Sequence, residues 1–183
     1  MPLIKQISSD TQLELCIWKL TESQSYFASK LDLQKPEKAI ISSLSSRKKL
    51  EWLASRYLLH IMSGRDIRGR FDKDIHGKPH LVDSDYSVSI SHSNGYIAVA
   101  ASPKTVGVDI QTFVDKITRI QHKYVSEKES YLISKYPENT LNTLHILWGA
   151  KESLYKAYGL RSLDFKRHMM IDAFDPTIAE GLF

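Results

Sequence analysis

Residues 86–102 read YSVSISHSNGYIAVAAS. Val88 and Ile90 alternate with serines, Ile97 and Val99 alternate with smaller residues, and Asn94-Gly95 between them are the residues most tolerant of positive φ. This pattern predicts two strands, 86–91 and 96–102, joined through His92-Ser93-Asn94-Gly95, and therefore an antiparallel sheet.

Working outward, Leu13, Leu15 and Ile17 suggest an early strand. From Leu44 to Met62, the spacing of Leu50, Leu53, Tyr57, Leu58 and Ile61 gives one helical apolar face, with Ser45 or Ser46 to cap its start and Gly64 its end. Downstream, Val106 to Thr112 predicts a short strand with Val106, Val108 and Ile110 on one side and Gly107, Asp109 and Gln111 on the other. Ile117 to Ile133 reads as helix with a break near Ser126, Leu141 to Tyr158 as a helix stopped at Gly159, and Phe165 to Phe174 as a final strand. Helices mixed with mostly antiparallel strands argue for an α+β fold rather than a doubly wound parallel sheet.

The composition sets outer bounds. The chain has 183 residues, enough for one large domain or two small halves sharing a core, and its 42% hydrophobic content supplies a globular interior. No stretch approaches the apolar length of a membrane span, so no membrane is expected. The N-terminal MPLIKQISSD does not read as a signal peptide, and the single Cys16, read as a small buried hydrophobe, agrees with a reducing, cytoplasmic setting. Lysine and arginine outnumber acids 25 to 21, which favours an anionic partner without naming it.

Two segments break their own packing pattern. Asp109 is a poor strand former on a predicted strand, just beyond Gly107, a residue that lets a backbone or ligand approach closely. On the helix from Leu141 to Tyr158, Leu144, Leu147, Trp148, Leu154, Tyr155 and Tyr158 form one broad stripe. Lys151 falls in its middle and Glu152 on its edge, with Lys156 one turn later; Glu152 and Lys156 also fit an ordinary i,i+4 pair, and Lys151 a snorkelling side chain. A strand carboxylate and a helix carboxylate form the incomplete oxygen set that holds Mg²⁺ when substrate phosphates supply further ligands, and nearby lysines would neutralise a pyrophosphate.

Gly107-Val108-Asp109-Ile110 and Trp148-Gly149-Ala150-Lys151-Glu152-Ser153-Leu154-Tyr155-Lys156, about forty residues apart, resemble the paired signature of the 4′-phosphopantetheinyl transferase superfamily. Gly77-Lys78-Pro79 and Ser89-Ile90-Ser91-His92-Ser93 resemble upstream motifs of its larger, Sfp-type branch, so the likeness covers about residues 44 to 174. The resemblance implies a pseudo-twofold fold of two α/β halves with small, mostly antiparallel sheets. The halves would divide as 1–104, on the nucleotide side of coenzyme A, and 105–183, on the metal and pyrophosphate side, within one compact unit.

The same resemblance implies the site. Asp109 and Glu152 would bind Mg²⁺, with Gln111 beside them; Lys156 would contact the pyrophosphate; and Lys78, Pro79, Ser91 and His92 would hold the adenosine and 3′-phosphate of coenzyme A. Arg47 is a further basic residue assigned to that phosphate, and Arg56 lies near the same place. Glu152 would accept the proton of a serine on an acidic apo carrier protein while 3′,5′-ADP leaves.

Two departures stand out. Gln111 occupies a position where the family commonly has an acidic ligand, so weaker Mg²⁺ binding or a water in that position, with activity retained, is expected. The chain also ends at Phe183, where larger members continue into further strands. A missing sheet edge, through truncation or cover by a partner subunit, and self-association through that edge are the expectations. The alternatives are a coenzyme A-binding homologue without turnover and, on charge alone, a small nucleic-acid-binding protein. The second lacks an RNP-like motif, zinc-finger spacing or a concentrated basic run, and no glycine-rich phosphate loop supports a kinase-like reading.

Overall fold

The computed structural model describes residues 3–9 and 12–178. Among them, six strands form one sheet: β1 (Leu3–Ser8), β2 (Glu14–Lys19), β3 (Phe71–Lys73), β4 (Pro79–Leu81), β5 (Ser87–Ser93) and β6 (Tyr96–Ser102). Their order is β1-β2-β6-β5-β4-β3, with every neighbouring pair antiparallel, which bears out the α+β reading. The helices are α1 (Gln24–Lys30), α2 (Lys35–Ser42), α3 (Ser46–Ser63), α4 (Lys116–Ile120), α5 (Ser130–Lys135) and α6 (Thr140–Tyr158).

The central hairpin forms as its turn chemistry requires. Asn94 (φ 45°) and Gly95 (φ 82°) both take the left-handed conformation, giving a two-residue loop whose twist matches the flanking strands. The tight loop leaves His92 and Ser93 inside β5, paired with Ile97 and Tyr96, rather than in the turn where the sequence placed them. Alternation then gives β5 two faces. Val88 packs under α3 with Leu53, Ala54, Leu58, Ile97 and Val99, whereas the serine side chains face the second half of the chain.

The early strand is present, but its fully buried side chains are Cys16 and Trp18, paired with Val99 and Ile97; Leu15 and Ile17 are half-buried on the opposite face. Cys16 is a free, buried cysteine, as read from sequence. On α3, Leu53 and Leu58 are wholly enclosed and left-handed Gly64 ends the helix, while Ile61 is exposed.

A second apolar cluster gathers Ile117, Tyr124, Leu132, Leu144, Leu147, Ile171 and Phe174 from α4, the stretch between α4 and α5, α5, α6 and the segment after α6. Here the strand expectations fail. Val106 to Thr112 is irregular, because its backbone N–H groups are taken up by side chains: Val108 N donates to Ser89 Oγ (3.0 Å) and Thr112 N to Ser93 Oγ (3.3 Å). Phe165 to Phe174 is also irregular, with Ile171 N donating to Glu129 Oε1 (3.0 Å) and Phe165 O accepting from Lys151 Nζ (2.9 Å). The break expected near Ser126 is wider than one residue. The backbone N–H and hydroxyl of Ser126 both donate to Glu129 Oε2 (2.9 and 2.7 Å), which starts a new helical turn after α4 has ended at Ile120.

On α6, Leu154 and Tyr158 are exposed rather than part of the buried stripe. The expected edge near the C-terminus falls partly on residues 179–183, outside the described residues; the edges seen are β1 and β3. Among the described residues no helix is long and apolar enough to cross a membrane.

Gly107 sets the spacing between the 106–112 segment and α6. A Cβ there would lie 1.9 Å from Ser153 O and 2.7 Å from Ala157 N, both backbone atoms that cannot swing aside. Gly107→Ala should therefore push the segment off the helix and lower stability by about 3 kcal/mol, the upper range for overpacking, as read by urea denaturation. An unchanged midpoint would mean that the segment is not clamped there.

Candidate functional site

The serine face of β5, the 106–112 segment and α6 converge on Asp109. Its Oδ1 accepts a hydrogen bond from Ser91 Oγ (2.9 Å) and one from Lys156 Nζ (2.7 Å). Lys156 also donates to Ser91 Oγ (2.9 Å) and to Val108 O (3.1 Å), so its ammonium has three partners from two elements of the chain. Among the described residues no ion pair within 4.0 Å joins Glu152 to Lys156, whose ammonium turns to Asp109 instead.

Glu152 stands half-buried on the same helix as Lys156. Burial first and the neighbouring Asp109 second push its carboxyl above the usual carboxylate range, partly offset by Lys156. Asp109 and Glu152 are thus electrostatic neighbours. Gly149 lies against the cluster: a Cβ there would sit in ordinary contact, 3.4 Å from Gln111 Nε2 and 3.9 Å from Asp109 Oδ2. Gln111 Nε2 donates to His145 O (3.1 Å), which fixes its amide beside the helix.

No group of three or more His, Cys, Asp or Glu side chains gathers as a metal cluster among the described residues. Two carboxylates and one amide oxygen fit a hard divalent cation that takes its remaining ligands from phosphate and water. Such an ion would also offset the desolvation and the repulsion from Asp109 that act on the Glu152 carboxylate.

The raised Glu152 carboxyl carries a stability consequence. A folded-state value above the unfolded one makes the protonated form the favoured one in the fold. Its contribution is complete below the ordinary carboxylate range and is lost as pH rises from that range through the raised value. In metal-free buffer, Glu152→Gln should raise the melting temperature at pH 8 by a few degrees and leave it nearly unchanged at pH 4. An equal shift at both pH values would remove this account.

Beside the cluster, a cleft of about 460 Å³ opens between α3, the β3–β4 hairpin, β5 and the end of α6. Cationic or protonatable side chains line it: Lys48 and Arg56 from α3, Lys73, His76 and Lys78 from the hairpin, His92 from β5, and Lys156 and Arg161 from α6 and its exit. Glu51 is the single acid among the lining residues. Arg56 is buried between the rings of Trp52 (4.1 Å) and Phe71 (4.4 Å). A second cavity of about 290 Å³ lies between the end of α3 and the sheet and includes none of Asp109, Glu152 and Lys156.

Of the residues singled out in the sequence, Lys78, Pro79, His92 and Lys156 line the cleft. Ser91 is behind it, bonded to Lys156 and Asp109. Lys78 Nζ donates to Ala157 O (2.6 Å) at the C-terminal end of α6, where left-handed Gly159 leaves space for its side chain and the helix dipole favours a cation. Arg47 lies outside the lining; it is exposed and its Nε donates to Glu51 Oε1 (3.0 Å).

Lys151 is not at the site. It is fully enclosed on the other side of α6, donating to Glu129 Oε2 (2.6 Å), Tyr124 O (2.6 Å) and Phe165 O (2.9 Å). Burial alone would raise the Glu129 carboxyl, but hydrogen bonds from Lys151, Ser126 and Ile171 outweigh it and hold the group below the usual value.

Sequence reasoning missed Lys48, Glu51 and Trp52. Their spacing with Ser55 and Arg56 on α3 marks a second helical face, opposite the leucine stripe, and was the available signal.

The family model described as the 4′-phosphopantetheinyl transferase superfamily matches residues 105–180. A 4′-phosphopantetheinyl transferase from Aneurinibacillus migulanus is 33% identical over 110 residues, 60% of this chain and 46% of that protein. A 4′-phosphopantetheinyl transferase from Bacillus subtilis is 33% identical over 86 residues, 46% of this chain and 38% of that protein. The matched regions cover less than half the length of these curated relatives, and they bear out the resemblance read from the paired motifs.

Proposed function

We propose, from the premise that this chain is related to the 4′-phosphopantetheinyl transferase superfamily, that it transfers the phosphopantetheine arm of coenzyme A to a serine of an acidic apo carrier protein. The observation that carries this reading is the ion pair of Asp109 with Lys156 (2.7 Å), which lines a cleft of cations, with Glu152 as an electrostatic neighbour of both. Such a cleft suits a nucleotide bearing several phosphates.

In this reading the nucleotide end of coenzyme A lies along Lys78, Pro79 and His92, with Arg56 and Lys48 on the α3 wall. The diphosphate lies toward Lys156. Mg²⁺, held by Asp109 and Glu152 with the Gln111 amide oxygen, would supply charge neutralisation on the diphosphate.

Glu152 accepts the carrier serine's proton directly or through a water. The serine oxygen then bonds to the β-phosphorus. The bridging P–O bond breaks and 3′,5′-ADP departs with the electron pair. Lys156 holds Asp109 in place and offsets negative charge at the diphosphate. An acidic carrier would complement the net charge of +4, and the reaction belongs in the cytoplasm.

Intact-mass measurement of an apo carrier incubated with the chain, coenzyme A and Mg²⁺ tests the reading. A carrier heavier by one phosphopantetheine is expected. An unchanged carrier alongside measurable coenzyme A binding would instead point to a binding homologue without turnover.

A further inference from the structure

Among the residues lining a cleft suited to a polyanion, the one acid is Glu51, whose side chain is only 7% exposed. A buried carboxylate there opposes anion binding by simple Coulomb repulsion except where neighbouring cations offset it. Its contacts are to basic side chains. Glu51 Oε1 accepts from Arg47 Nε at 3.0 Å, and Glu51 Oε2 lies 3.4 Å from His92 Nδ1.

His92 is on β5 two residues before the Asn94-Gly95 turn, and its side chain is 54% exposed. We infer that Glu51 is a positioning residue. It commits the Nδ1 hydrogen of His92 to α3, so that a second proton on Nε2 makes the ring a cation bridging Glu51 and a phosphate of the bound nucleotide. Arg47, outside the lining, acts on the cleft through Glu51 by holding that carboxylate in place. A ring oriented before the ligand arrives loses less freedom on binding than a free one.

This inference rests on the coenzyme A reading, and the sign of one experiment separates it from charge alone. Calorimetric titration with 3′,5′-ADP should show Glu51→Ala weakening binding about tenfold, even though an acid has been removed from a cation-lined cleft. Glu51→Gln keeps an acceptor for Nδ1–H and should recover most of that affinity. His92→Ala should show the same loss as Glu51→Ala, and the double variant no further loss.

A purely electrostatic Glu51 gives the opposite result, with both Glu51 variants binding more tightly; that outcome, or losses that add in the double variant, overturns the inference. In the unaltered protein, NMR of the His92 ring nitrogens should find the hydrogen of the neutral ring on Nδ1, and an Nε2–H tautomer would overturn it without recourse to variants. If the unaltered chain does not bind 3′,5′-ADP, the coenzyme A reading falls and takes this inference with it. Binding that is indifferent to Glu51 removes the inference alone.

Discussion

Asp109→Ala and Glu152→Ala should each reduce phosphopantetheine transfer by about a thousandfold, on the order of 4 kcal/mol of transition-state stabilisation. The two substitutions act differently. Removing Asp109 strips Lys156 and Ser91 of their shared acceptor, so the ammonium loses its anchor as well as its charge partner. Removing Glu152 leaves that hydrogen-bonded group intact and deletes the carboxylate proposed to accept the serine's proton. Both variants should still bind 3′,5′-ADP, since the cations of α3, the β3–β4 hairpin and β5 are untouched. Intact-mass kinetics of the carrier and nucleotide titration on the same preparations check this pair of results. Near-normal transfer in either variant would show that the carboxylate concerned takes no part.

The second large effect concerns stability. Lys151→Ala should lower the unfolding free energy by about 3–5 kcal/mol, because it leaves Glu129 enclosed without its cation and two carbonyls, Tyr124 O and Phe165 O, without their donor. Lys151→Met combined with Glu129→Leu should remain destabilised, since removing the pair also leaves Ser126 N, Ile171 N, Tyr124 O and Phe165 O without their partners. The pair ties α6 to the start of α5 and to the 165–171 segment, so the single variant should also melt with reduced cooperativity. Equal stability of Lys151→Ala and the unaltered chain, by denaturant titration, would mean that the ion pair does not hold the second half together.

Much of this architecture was legible where a single residue type meets a strict backbone demand. Asn94-Gly95 can make a two-residue hairpin loop, and Gly64 and Gly159 can end helices in the left-handed conformation, so those boundaries followed from local chemistry. Gly107 signalled a close approach, which proves to be the backbone of α6.

The extended segments of the second half were misread because alternation of Val106, Val108 and Ile110 looks the same whether the backbone pairs with a strand or with serine hydroxyls. Hydrophobic periodicity likewise cannot tell on which side of α6 a charge finds its partner. Lys151 and Lys156 both sit near the apolar stripe, yet one joins the interior through Glu129 and the other the site through Asp109.

On α3, one step of about 100° separates Arg47, which faces away, from Lys48, which lines the cleft. A residue pattern read without its opposing wall leaves that choice open. The spacing on α3 could mark Glu51 as part of that face but not its role, because its partner His92 is brought to it by a strand about forty residues further along the chain.

The central claim is that one divalent ion is shared by Asp109 and Glu152. Replacing Mg²⁺ by Mn²⁺ and counting tightly held Mn²⁺ by electron paramagnetic resonance in the presence of coenzyme A tests it directly. One Mn²⁺ per chain is predicted for the unaltered protein, with the tight signal lost in Asp109→Ala and in Glu152→Ala alike. Retention of that ion in either variant, or carrier transfer undiminished under excess chelator, would contradict it.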